Sequence, residues 1–78
     1  MANRSFQVVL EWDSGDKVWV TYVPALDFLS TFGETREQAL ANTREAILGY
    51  LEAAAKERLP FPPMDFKAEL VSLDISAA

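Results

Sequence analysis

From Ser5 to Trp12 the sequence SFQVVLEW alternates in polarity. Phe6, Val8, Leu10 and Trp12 fall on one side and Gln7 and Glu11 on the other, the period of a half-buried strand. The next four residues, Asp13-Ser14-Gly15-Asp16, tolerate positive φ or hydrogen-bond their own backbone. A second alternating run, KVWVTYV, starts at Lys17, so the two strands read as a β-hairpin. Placing Val18, Val20 and Tyr22 on the face of Phe6, Val8, Leu10 and Trp12 requires an odd loop length. A loop of about three residues with Gly15 in the left-handed region meets that need. Val9, Trp19 and Val23 then share the opposite face as a modest apolar patch, a candidate interface.

Pro24 cannot donate to a ladder and ends the second strand; Phe28 to Phe32 (FLSTF) reads as a short third strand broken by Gly33. Thr35-Arg36-Glu37-Gln38 has the form of a capping box, in which Thr35 accepts from the Gln38 amide and the Gln38 side chain returns the bond. The main helix starts there. Ala39, Leu40, Thr43, Ala46, Ile47, Tyr50, Leu51 and Ala54 recur at steps of three and four and define its apolar stripe. Glu34 and Glu37 lie at its start and Lys56 and Arg58 in its last turn, the orientation the helix dipole favours. Pro60, Pro62 and Pro63 stop it near Leu59. A last strand begins near Phe66, alternating through Ala68 and Leu70 before the apolar phase slips to Val71, Leu73 and Ile75. The slip implies either a bulge near Leu70 or a strand covered on its second face by a neighbouring molecule. The expected fold is one α+β two-layer domain over residues 1–78, in β-β-β-α-β order. One helix packs on a four-stranded, mostly antiparallel sheet.

Composition narrows the chemistry. The 78 residues contain no cysteine and no histidine, which excludes disulfides and thiol nucleophiles and removes the usual general base and imidazole metal ligand. Catalysis is therefore not expected, and neither is a metal or cofactor. Seven Lys and Arg stand against twelve Asp and Glu, for a net charge of −5. Such a balance repels nucleic acid and attracts a basic protein. The start of the chain has polar Asn3 and Arg4 and no apolar run, and no stretch approaches the about 20 apolar residues of a membrane span. The expectation is a cytoplasmic protein with no membrane partner. So short a chain buries only about 60% of its unfolded surface, so self-association is an expected supplement.

Several local features admit two readings. Asp13 and Asp16 around Gly15 suggest a cation loop or a solvated turn, and D-S-G-D supplies too few oxygens at the spacing calcium needs. Gly33-Glu34-Thr35 opens a helix and suggests an anion site, yet Glu34 puts negative charge there and no lysine adjoins it. Pro60 and Pro63 match P-x-x-P but also form the spacer two elements require. Trp12, Trp19, Tyr22, Phe28 and Phe32 could stack on bases, although stacking platforms work with a basic groove that this chain lacks. Core or protein interface is the better reading of these rings.

The residues Val23-Pro24-x-Leu26, Gly33-x-Thr35-x-x-x-Ala39 and Glu45-Ala46-Ile47-x-x-Tyr50-Leu51-Glu52 resemble the pattern of the HicB-like antitoxin family over almost the whole chain. That pattern runs roughly V-P-D-L-P-G-C-x-S-x-G-D-T-x-E-E-A, followed by a helix with E-A-I. This chain departs from it at Ala25, Asp27 and Phe28, where the family often has Asp, Pro and Gly, and at Glu34 and Gln38. The resemblance implies a partial ribonuclease H-like fold with the last strand beside the first. It does not imply nuclease activity, since the first strand is apolar through Val8, Val9 and Leu10 where a metal-binding carboxylate would sit. Many relatives carry a further DNA-binding domain, which the sequence to Ala78 does not contain, so operator binding is not carried over. By resemblance, the partner is a small basic toxin that cleaves messenger RNA. Glu11, Asp13, Asp16, Glu34 and Glu37 are the candidate contacts to it, and Val9, Trp19, Val71, Leu73 and Ile75 the candidates for a homodimer or larger oligomer. The alternative is a solitary oligomeric domain without a toxin, serving as a scaffold or small-ligand binder.

Overall fold

A computed structural model of the chain describes residues 5–59 and 66–76. Strands β1 (Val9–Asp13), β2 (Val18–Val23) and β3 (Leu29–Gly33) form an antiparallel sheet in the order β1-β2-β3, with a short 3₁₀ helix at Pro24–Leu26 between β2 and β3. Helix α1 (Arg36–Lys56) follows and packs across β3 and, less extensively, β2. No helix among the described residues is long and apolar enough to cross a membrane.

The hairpin loop corrects the expected register. It holds four residues, 14–17, and the left-handed residue is Lys17 at φ 56°, not Gly15. The cause is Asp13, whose Oδ1 accepts from the amides of Gly15 at 2.9 Å and Asp16 at 3.1 Å. This Asx turn holds the chain until Lys17 reverses it. An even loop inverts the parity. Trp12 is paired with Trp19 and Leu10 with Thr21, so Trp19, Thr21 and Val23 share the face of Leu10 and Trp12. Val18, Val20 and Tyr22 join Val9, Glu11 and Asp13 on the other face.

α1 sits on the Thr21 and Val23 face. The buried core is Val23, Leu26, Ala39 and Ala54 with two threonines, Thr21 and Thr43. These residues are small because the helix comes very close to the sheet. A Cβ built on Gly33 would lie 2.5 Å from the Ala39 nitrogen and 2.8 Å from its Cα, nearer than real Cβ contacts allow. Gly33 is therefore required by the backbone of the first helical turn, at Gln38 and Ala39, and the fully buried Ala39 adds only a methyl group at that approach. One turn further on, Thr43 Oγ1 lies 2.7 Å from the Ala39 carbonyl and 2.6 Å from Thr21 Oγ1, and Thr21 Oγ1 is 3.3 Å from the Thr31 carbonyl. Two hydroxyl protons make two of these three contacts at a time, with Thr21 donating to Thr43 and Thr43 to the Ala39 carbonyl, or with Thr43 donating to Thr21 and Thr21 to the Thr31 carbonyl. Neither buried hydroxyl is left without a partner.

The cap of α1 follows the expected box with one change. Thr35 Oγ1 accepts from the Gln38 amide at 3.0 Å, while Gln38 Oε1 accepts from Glu34, one residue before the cap, at 2.9 Å. The helix stops at Lys56, short of Leu59, through a Schellman arrangement. The Leu59 amide donates to the Ala54 carbonyl, the Arg58 amide donates to the Ala55 carbonyl, and Arg58 takes φ 56°. The expected stripe holds for Ala39, Leu40, Thr43, Ala46, Ile47, Leu51 and Ala54, but Tyr50 is exposed.

The expectation of a four-stranded β-β-β-α-β sheet is corrected. Among the described residues the sheet has three strands, the order is β-β-β-α, and residues 66–76 form no strand. The slip between Ala68-Leu70 and Val71-Leu73-Ile75 denies the segment a single apolar face to set against the domain. It meets the first strand region where the Ala68 amide donates to Gln7 Oε1 at 3.0 Å, a side-chain acceptor in place of a ladder bond. Pro60, Pro62 and Pro63, with the P-x-x-P match, lie outside the described residues, as do Asn3 and Arg4.

Two experiments check this packing. Gly33→Ala is expected to destabilise the fold by about 1–3 kcal/mol through the clash with Ala39. Gly49→Ala, whose Cβ meets nothing within 4 Å, is expected to stabilise it by about 0.5–1 kcal/mol. Urea denaturation of both variants reads the opposite signs. A double-mutant cycle of Thr21→Val and Thr43→Val is expected to show a coupling of about 1 kcal/mol; strict additivity would show that the two hydroxyls do not support one another.

Candidate functional site

With α1 on one side, the other face of the sheet is a surface of three rungs: Val9, Tyr22 and Ser30; Glu11, Val20 and Phe32; Asp13 and Val18. The valines and Tyr22 are half-buried by their neighbours, and Phe32 is 63% exposed. Asp13 and Asp16 wall a shallow hollow of about 320 Å³ that continues along Val18, Val20 and Ser30 to Phe32. An aromatic ring thus stands in an apolar strip with carboxylates at its end. This arrangement suits a partner presenting a cation beside an apolar group.

The sequence-derived acidic candidates divide between the two layers. Glu11 and Asp13 lie on the open face of β1, and Asp16 lies in the adjoining turn. Glu34 and Glu37 belong to the start of α1, just after Gly33, which is opposite Trp19 in the ladder. All five therefore sit toward the hairpin end of the domain. Asp13 also holds the turn through two backbone bonds, and the Glu34 amide is held by Gln38, so these two residues contribute to local structure as well as charge. Among the described residues no three His, Cys, Asp or Glu side chains gather in a way that could hold a metal ion.

The self-association candidates are likewise spread. Val9 lies on the open face, whereas Trp19 lies on the helix face, its ring 5.4 Å from that of Trp12 at 59°. Val71, Leu73 and Ile75 are exposed on the C-terminal segment. The shared patch of Val9, Trp19 and Val23 expected from an odd loop does not form, because the four-residue turn sends Trp19 and Val23 to the other side.

Two rings carry more weight than the sequence reading gave them. Phe32 alternates with Gly33, and the close helix approach at Gly33 forces Phe32 outward; the signal was present as a glycine just before a helix cap. Phe28 follows Asp27 in the turn before β3, and both take left-handed backbone, at φ 58° and φ 59°. It occupies the region where the resembling pattern has Gly, yet its ring is 66% exposed. A bulky residue in that conformation costs about 1–2 kcal/mol, which an exposed ring does not recover within the monomer. Phe28 also walls a second, apolar groove of about 600 Å³ with Gln7, Val8, Val9, Leu10 and Pro24 on one side and Ala68, Glu69 and Leu70 on the other.

Together the fold and these surfaces define a small α+β domain whose sheet presents one open face and has β1 and β3 as its edge strands. Over 57 residues the chain is 37% identical to the UPF0150 protein Ta0767 of Thermoplasma acidophilum, a match covering 73% of this chain and 81% of that one. The chain belongs to the UPF0150 family. No family model and no solved structure matches it.

Phe28→Gly is expected to raise stability by about 1 kcal/mol, read as a higher denaturation midpoint at unchanged slope. A loss of stability would show that the ring is held by contacts within the chain.

Proposed function

We propose that the protein acts as an antitoxin of the HicB-like kind, binding a small basic toxin that cleaves messenger RNA and neutralising it by covering the toxin's active surface. What carries this reading is the open sheet face, where an exposed Phe32 stands in an apolar strip beside Glu11, Asp13 and Asp16. Membership of the UPF0150 family and the resemblance of the Val23-Pro24, Gly33-x-Thr35 and Glu45-Ala46-Ile47 segments to HicB-like antitoxins support it. The net charge of −5 supports it too, because opposite charge speeds association and selects against acidic competitors. The role is one of binding without catalysis or cofactor. Phe32 is the central anchor, and Glu11 and Asp16 are the steering charges. Glu34 and Glu37 at the start of α1 widen the acidic field.

Capture of the tagged protein from its host's lysate is expected to recover a small basic protein in near-stoichiometric amount, released at high salt. In the reconstituted pair, mRNA cleavage by that protein is expected to be suppressed. The double reversal Glu11→Lys with Asp16→Lys should slow association about 10-fold or more with a weaker salt dependence. Phe32→Ala should speed dissociation, at a cost of about 2 kcal/mol in affinity. Asp13 is left intact because it holds the turn. Recovery of no partner, or full affinity in both variants, would refute the reading and favour a solitary domain.

A further inference from the structure

The C-terminal segment, residues 66–76, carries five large apolar residues that are exposed, four of them mostly in solvent: Leu70 is 91% exposed, Val71 64%, Leu73 78% and Ile75 80%, with Phe66 at 42%. A hydrogen bond to the domain, from the Ala68 amide to Gln7 Oε1, brings it to the start of β1 and to the groove walled by Pro24 and Phe28. Beyond that contact it forms no strand. The sheet order leaves β1 as an outer strand, so its far edge offers backbone donors and acceptors to an added chain. The molecule is correspondingly drawn out. Its radius of gyration is 15.0 Å, against about 11.5 Å for a compact domain of this length. Its longest dimension is 51 Å, well beyond the roughly 32 Å of a 21-residue helix.

We infer that the end of this segment is an exchanged arm: beyond the contact of Ala68 with its own Gln7, residues 71–76 of one copy lie along the β1 edge and the Phe28 groove of a second copy, and the second copy returns the same contact about a two-fold axis. An exposed apolar arm and a β1 edge that no strand of the described residues pairs with are complementary, and a second copy supplies both at once. The area agrees. Three buried side chains of this size give about 300–400 Å² of apolar surface per arm. Counting two arms and the surfaces they cover, the interface reaches about 1,200–1,600 Å², the range of stable dimers. The phase slip at Leu70 and Val71 fits as well, since one face of the arm meets the acceptor groove and the other meets the junction between copies. The exposed, strained ring of Phe28 acquires a role as a wall of the acceptor groove. The acceptor groove reaches the open face only at Val9 and shares no lining residue with the hollow between Asp13, Asp16 and Phe32, so the arm exchange is tested without any partner.

The full-length protein is expected to be a dimer by light scattering. Val71→Asp with Leu73→Asp is expected to weaken dimerisation by at least about 100-fold while the far-UV helix signal is retained. In a mixture of isotope-labelled and unlabelled wild-type copies, interchain NOEs are expected between residues 71–75 of one copy and residues 7–11 of the other. A monomer at every concentration, a dimer insensitive to the arm substitutions, or arm NOEs confined to a single chain would each overturn the inference. The NOE measurement stands even if the double variant fails to fold.

Discussion

The close approach of α1 to the sheet at Gly33 and Ala39 is the constraint on which the rest of this structure depends. Because neither residue places bulk between the two backbones, the first turn of the helix comes down onto the end of β3, held there by the Thr35 and Gln38 cap. That descent brings Thr43 within 2.6 Å of Thr21 in the middle strand and closes a hydroxyl chain between the layers. A larger residue at either point would lift the helix, strand two buried hydroxyls and open the core at its narrowest place. Packing this close also keeps the core small, since among the described residues only Val23, Leu26, Ala39 and Ala54 are buried apolar residues.

A small core has consequences for the surface. With α1 committed to β3 and β2, β1 forms the rim of the sheet, and Trp12 beside it is half-exposed. The opposite face keeps Val18, Val20, Tyr22 and Phe32, residues that a larger domain would cover with a second layer of its own. Domains of this size commonly complete themselves by association. The open face and the open edge lie on different sides of the same three strands. The proposed basic partner and the proposed second copy therefore call on surfaces, the Phe32 hollow and the Phe28 groove, that share no lining residue.

The electrostatics favour such a division. Carboxylates gather at the hairpin end, in the turn after β1 and in the first turn of α1, while the arm and the Phe28 groove are chiefly apolar. Contacts steered by charge form quickly and loosen with salt; contacts made by buried apolar surface respond little to salt and set the lifetime. The local duties of Asp13 and Glu34 show that the same residues serve the fold and the field. Charge at this end of the molecule is therefore not freely exchangeable with charge elsewhere.

By itself the sequence determined what short-range physics decides: two alternating strands around an Asp-Gly turn, a third short strand ending at Gly33, and a helix capped at Thr35 with its stripe from Ala39 to Ala54. These are set within a few residues, by side-chain period, φ preference and hydrogen bonds to the local backbone. The acidic candidates were legible as residues, although not as a surface. What the tertiary structure alone decided follows from one loop residue and one missing ladder. Four residues in the hairpin turn, held by Asp13 and closed by Lys17, sent Trp19 and Val23 to the helix side and Tyr22 to the open side. Composition could not distinguish that loop from a three-residue one, because both satisfy the same turn chemistry. The final segment alternates well enough to suggest a strand, yet strand formation needs an edge aligned along its length, and only the assembled fold shows that its own chain meets it at Gln7 and leaves Leu70 to Ile75 in solvent.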